Sequence, residues 1–217
     1  MTIQHHPSEL LLTAFAAGTL DLGAHIAVAT HLVACAECRK WWRTLERVGG
    51  AVLEAMPLAR MSNDALARAI SRLDLPLEAA DPDIGVNSAA LDTIPGLPEF
   101  VRKYPVGEWK FVAPRLYKRA IHVPDPGDTR VFLLRAGAGV RLQPHTHTGT
   151  ELTCVLTGSF SHDGMWFGAG DIDLGDSDIS HDIAVGQDGD CICLVAMSGE
   201  LRLKGLRGRL MQPFVSI

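Results

Sequence analysis

Glycine is the most constraining feature of this 217-residue chain: residues 1–98 hold six glycines and residues 99–217 hold fifteen. A glycine inside a helix costs about 1 kcal/mol relative to alanine, whereas tight turns between strands use its left-handed backbone. The chain therefore reads as two materials, a helix-forming first part and a turn-rich, strand-forming second part. In the first part, Ser8 precedes a run in which Leu11, Leu12, Phe15, Ala16 and Leu20 recur at three-to-four spacing. Asp21 precedes a second run through Ile26, Ala29, Val33, Trp41, Leu45, Val48 and Val52. Serine and aspartate are N-cap residues, so each marks a helix start. Breaks are expected near Cys38 and at Gly49-Gly50. A third helix is expected over residues 63–73, with Leu66, Ala69, Ile70 and Leu73 as its stripe. Residues 75–98 place Pro76, Pro82, Pro95 and Pro98 among Asp, Asn, Ser and Gly, which suits a linker.

From about Phe100 the pattern changes. Short apolar segments at 130–135, 151–157, 165–167, 191–197 and 201–204 alternate with turn signals such as Asp163-Gly164, Asp188-Gly189 and Ser198-Gly199. Many short strands at this spacing predict a β-sandwich or barrel. The fold expected is thus two-domain α + β: a small all-α unit over residues 1–85, a linker over 86–98 and an all-β unit over 99–217.

Charge excludes one class of partner. The chain carries 20 Lys+Arg against 25 Asp+Glu, and residues 1–75 carry seven of each. Nucleic-acid binding rests on a basic excess that neutralises phosphates, so direct DNA binding is not expected. The start of the chain lacks the basic flank and apolar run of a signal peptide. The most apolar early stretch, residues 24–36, is interrupted by His25 and His31 and is shorter than the ~20 residues of a membrane span. The expectation is a cytoplasmic protein with no membrane partner. Thiols there stay reduced, so nine His and five Cys point towards metal binding before disulfides.

Two groups of these residues have ligand spacing. The first is His31-x3-Cys35-x2-Cys38. On a continuous helix, positions i, i+4 and i+7 share one face, so an imidazole and two thiolates would converge and supply three of zinc's four tetrahedral ligands. His25 lies about 120° off that face. His5 and His6, which precede the first helix, can both fold back to complete the set, and spacing does not separate them. This helix near the start of a small helical domain resembles the zinc-binding anti-sigma factors. The resemblance implies that His6 is the fourth ligand of a Zn2+ site. It also implies that the helical unit holds a group IV, or extracytoplasmic-function (ECF), sigma factor, with Leu11, Phe15, Trp41, Trp42 and the 52–73 stretch as candidate partner-facing residues. The competing reading of each apolar residue is ordinary core.

The second group lies in Gly139-x5-His145-x-His147-x3-Glu151-x6-Gly158. His145 and His147 are two apart and point to one side of a strand, and Glu151 keeps the same parity after a turn at 148–150. Two imidazoles and a carboxylate suit Zn2+ first, with Fe, Mn and Ni as alternatives. His181, about a strand and a turn beyond Gly170-Asp171, is the candidate fourth ligand. The segment resembles the first cupin motif at every defined position, which implies a double-stranded β-helix barrel with a second divalent metal held by His145, His147, Glu151 and His181. His122 and His162 stand beside turn residues and read as solvated. Cys154 has the opposite parity to Glu151 and reads as packing on the outer layer. Cys191 and Cys193 share a side and read as packing residues.

A zinc anti-sigma unit followed by a cupin is similar to the ChrR-type anti-sigma factors. That resemblance implies inhibition of an ECF sigma factor and its release under oxidative stress of the singlet-oxygen or peroxide kind, sensed through the cupin, with no enzymatic activity. The alternative is a metal-dependent cupin dioxygenase with an accessory zinc domain. The linker is expected to let the cupin act on the helical unit without sharing its core.

Overall fold

The computed structural model describes residues 2–73, 75, 94–124, 127–175 and 183–203. Four helices come first: α1 (Glu9–Ala16), α2 (Leu22–Ala34), α3 (Ala36–Ala55) and α4 (Ala65–Leu73). The caps are those the sequence predicts. Ser8 Oγ accepts the Leu11 backbone N–H at 3.2 Å and Asp21 Oδ1 accepts that of Ala24 at 2.8 Å, each satisfying an orphan donor of the first turn.

The break after α2 falls at Cys35 rather than Cys38. Cys35 is extended (φ −92°, ψ 107°), closing α2 and capping α3, with its sulfur accepting the Cys38 N–H at 3.4 Å. The expected break at Gly49-Gly50 is absent, and α3 runs through both glycines. A Cβ at either would meet nothing within 4 Å. These glycines therefore face open space, and their helical cost of about 1 kcal/mol each is borne by a long helix with many other hydrogen bonds.

A 3-10 turn at Glu99–Lys103 leads into an antiparallel barrel. Its large sheet has the order β1 (Lys110–Ala113), β2 (Leu116–Ile121), β3 (Thr129–Ala136), β10 (Cys191–Ser198), β5 (Glu151–Thr157) and β8 (Ile172–Gly175). A three-stranded sheet orders β7 (Met165–Gly168), β6 (Ser159–His162) and β9 (Ile183–Val185). β4 (His145–His147) pairs with β11 (Leu201–Leu203).

The core has two layers that share the strands of the large sheet. Along β10, Cys191, Cys193, Val195 and Met197 enter the barrel interior with Phe132, Val155 and Phe160. Leu194 and Ala196 point the other way and pack with Leu133, Leu152 and Cys154 against Ile26, Val28 and Leu32 of α2. The helical unit and the barrel therefore share one continuous core, contrary to the expectation of two cores joined by a linker. The physical reason is the strand period of two: both faces of β3, β5 and β10 are apolar, and the outer face must be covered. Helix α2 approaches so closely that a Cβ on Gly23 would stand 2.4 Å from Thr129 Cγ2. Thr129 Oγ1 also donates to the Asp21 carboxylate at 2.8 Å. Ile94 and Leu97, at the end of the expected linker, are buried in the same layer.

No helix among the described residues is long and apolar enough to cross a membrane.

Candidate metal centre

The kink at Cys35 assembles the first site. His31 sits in the last turn of α2, Cys35 at the junction and Cys38 in the first turn of α3, so the chain turns around the point where the three side chains meet. The ligands converge through this corner between two helices rather than along one helix face. Residues 3–6 run past the corner, and His6 Nδ1 lies 3.4 Å from Cys35 Sγ and 3.3 Å from Cys38 Sγ. The ligand atoms of His6, His31, Cys35 and Cys38 all lie within 4.8 Å of one another. Tetrahedral bonds of about 2.3 Å to sulfur and about 2.0 Å to nitrogen place N and S roughly 3.5 Å apart, which is the spacing found here.

His31 supplies the most direct sign of a cation site. It is fully buried, its Nδ1 donates to the Gly170 carbonyl at 2.8 Å, and its Nε2 is buried with no hydrogen-bond partner. A carbonyl only accepts, so Nδ1 carries the proton and Nε2 keeps a lone pair aimed at the two sulfurs and His6. Burial lowers the His31 pKa, against the opposing pull of the Gly170 hydrogen bond, which keeps the ring neutral as a ligand must be. Burial and the hydrogen bond to Cys35 push the Cys38 thiol up to about 12. A divalent cation between the sulfurs reverses that preference, because metal binding displaces thiol protons. The four residues can therefore hold a metal ion.

His5 and His6 part company here. His6 reaches the sulfurs, while the His5 ring stacks on Phe167 at 4.0 Å with Nε2 3.0 Å from the Trp166 carbonyl oxygen. His25 stacks on Phe15 at 4.2 Å, and burial lowers its pKa.

The barrel site is less closed. His145 and His147 flank Thr146 on β4, both buried, with ring centroids 5.0 Å apart. His147 Nε2 lies 3.4 Å from Glu151 Oε2, and Glu151 Oε1 accepts the Thr153 hydroxyl at 3.0 Å. His145 Nδ1 is anchored on the Gln143 carbonyl at 2.8 Å. His145 and Glu151 open onto an interior pocket walled by Phe132, Leu142, Phe160 and Val195. His181, the fourth expected ligand, lies outside the described residues. Among the described residues, only the first group has every ligand atom within 4.8 Å of every other.

One other residue differs from expectation, and three match it. His162 is 6% exposed, not solvated, and its Nδ1 lies 2.6 Å from Asp173 Oδ2. That bond raises its pKa. The turn signal Asp163-Gly164 hid this, because β6 carries His162 inward immediately before the turn. Cys191 and Cys193 do share a side, with sulfurs 3.6 Å apart inside the barrel, and Cys154 packs on the outer layer.

Comparison with known proteins identifies relatives of both halves of the chain. Residues 105–199 match the family model described as the ChrR cupin-like domain. The chain is 36% identical over 218 residues to the anti-sigma-E factor ChrR of Cereibacter sphaeroides, covering 100% of both chains. Among solved structures it is similar to the Rhodobacter sphaeroides complex of SigE with the anti-sigma ChrR. The TM-score is 0.71 at 34% identity, over 91% of this chain and 100% of the other. Similarity of this strength along the whole length, and not over the barrel alone, makes the chain a member of the ChrR family of anti-sigma factors.

Proposed function

We propose that the protein is an anti-sigma factor, a regulator and not an enzyme, that holds an ECF sigma factor on the end of α3 and on α4. The observation that carries this placement is α4 itself. It has no buried residue, yet Leu66, Ile70 and Leu73 form one stripe at i, i+4 and i+7, 72%, 54% and 81% exposed. Val48, Val52 and Leu53 near the end of α3 are exposed as well. Exposed patches of this kind mark protein-binding faces. A polar surface would serve a free helix better, so these side chains fit a partner that buries them. Of the other candidates, Phe15 belongs to the core, Leu11 and Trp42 pack against it, and Trp41 is exposed.

His6, His31, Cys35 and Cys38 would hold Zn2+, which when bound ties α2, α3 and the N-terminal residues into one corner. His145, His147 and Glu151, with His181 as fourth ligand, would hold a second divalent metal in the barrel, zinc first. The barrel would sense an oxidant of the singlet-oxygen or peroxide class and release sigma from the helices. A sigma partner places this work in the cytoplasm.

The test uses the full chain, because the helices share their core with the barrel. Metal-loaded protein is mixed with the ECF sigma factor encoded beside its gene and passed over a sizing column. Co-elution and inhibition of sigma-dependent transcription are expected. A metal-loaded chain that binds no such sigma factor would overturn the proposal.

A further inference from the structure

The first metal site is supported from both halves of the chain. Residues 3–6 form a strap along β8, the edge strand of the large sheet, where the Ile172 N–H donates to the His5 carbonyl at 3.3 Å. Asp171, just before β8, is 4% exposed. Its Oδ1 accepts the backbone N–H groups of Gln4 at 2.7 Å and His5 at 3.0 Å, and its Oδ2 accepts that of Gly168 at 2.8 Å. The next residue of the strap is His6, one of the four ligands.

Gly170, in the same turn, gives its carbonyl to His31 Nδ1. It has φ +92°, and a Cβ there would stand 2.7 Å from Ile3 Cδ1 and 3.1 Å from Ala34 Cβ. The turn is thus wedged between the strap and the end of α2.

We propose that this β7–β8 turn of the barrel, residues 168–172, is the outer shell of the N-terminal metal site, with Asp171 as the positioning residue that sets His6 through the strap while Gly170 orients His31. The inference rests on the metal reading of His6, His31, Cys35 and Cys38. Groups that orient a ligand from behind matter to affinity: losing one typically costs 10–100-fold. Here they come from the barrel. Linkage is reciprocal, so the factor by which the turn tightens the metal is the factor by which the metal holds the turn. Any event in the barrel that rearranges residues 168–172 loosens the ion in the helical unit. The route runs through hydrogen bonds among residues 3–6, 31 and 168–172, and bypasses the covalent connection between the halves.

The experiment loads the full chain with Co2+, whose thiolate charge-transfer absorption reports an ion bound by cysteine and ignores one held by imidazole and carboxylate. A chelator then extracts the metal while that band is followed. Asp171→Ala should speed extraction roughly 10–100-fold, and Asp171→Asn, which keeps a carbonyl acceptor for the strap, should fall between. Gln4→Pro removes one strap donor without touching the barrel, so it tests the link even if Asp171→Ala disturbs the barrel fold. It should also speed extraction, and the double variant should lose metal no faster than Asp171→Ala alone, because both changes cut one link. Wild-type extraction rates in Gln4→Pro, or effects that multiply in the double variant, would overturn the proposal. A wild-type chain with no cobalt–thiolate band would instead overturn the metal assignment, and this inference with it.

Discussion

Helices α2 and α4 start from similar material and end in opposite circumstances. Both are short, rich in alanine and carry aliphatic side chains at helical spacing. In α2, seven of thirteen residues are buried, including Ile26, Ala27, Val28 and Leu32. In α4, none of nine is buried. The difference lies in what each can reach. Helix α2 lies on the outer face of the large sheet, where Leu133, Leu152, Cys154 and Leu194 need cover, and Gly23 lets its backbone close on Thr129. Helix α4 contributes no residue to that core. Apolar periodicity thus says that a helix will bury a stripe, and leaves open whether its own chain or another supplies the opposing surface.

Breaking the corner that joins the buried and exposed halves should have the largest effect. Cys35→Ala with Cys38→Ala removes both thiolates, so bound metal should fall by about one equivalent per chain and sigma binding should be lost. Metal analysis with a sizing-column assay checks this. Second, Ile26→Ala on the buried helix should lower the unfolding free energy by about 2–5 kcal/mol. Because the core is shared, helical and barrel signals should shift together in denaturant titrations followed by circular dichroism and fluorescence. Separate transitions would show that the packing of α2 does not couple the halves. Third, Leu66→Glu with Ile70→Glu on the exposed helix should change stability by no more than about 0.5 kcal/mol per site. The same pair should weaken sigma binding by about 2 kcal/mol or more, read by calorimetry.

The smallest effect concerns His25, packed on Phe15 in the buried half. Burial depresses its pKa, so the fold favours the neutral ring. Its contribution is present above the unfolded value near 6.5 and is lost as pH falls through the depressed one. His25→Leu should therefore flatten the acid side of the stability–pH curve, measured by thermal melts from pH 7 downward.

Much of this was legible from local patterns, and the limits were physical. The caps at Ser8 and Asp21 and the strand at residues 151–157 followed from residue types that satisfy backbone groups or alternate at period two. The kink at Cys35 did not, because a single extended residue leaves no mark on hydrophobic spacing. Yet it turns three ligands around a corner. Spacing also could not choose between His5 and His6, since the deciding contacts come from Trp166, Phe167 and Asp171, more than 150 positions away. The shared core does leave one mark in the sequence. Residues 191–197 read Cys-Ile-Cys-Leu-Val-Ala-Met with no polar alternation, which marks a strand covered on both faces. Something had to lie outside the barrel, and α2 does.

That outer covering limits how the two halves can be exchanged over evolution. A barrel taken from a free-standing cupin would bring a solvent-adapted outer face under α2, with polar groups opposite Ile26, Val28 and Leu32. It would also lack a turn shaped to grip residues 3–6 and His31. A working transplant must carry α2, the strap and the β7–β8 turn together, so the unit of inheritance here is the interface, and neither half alone.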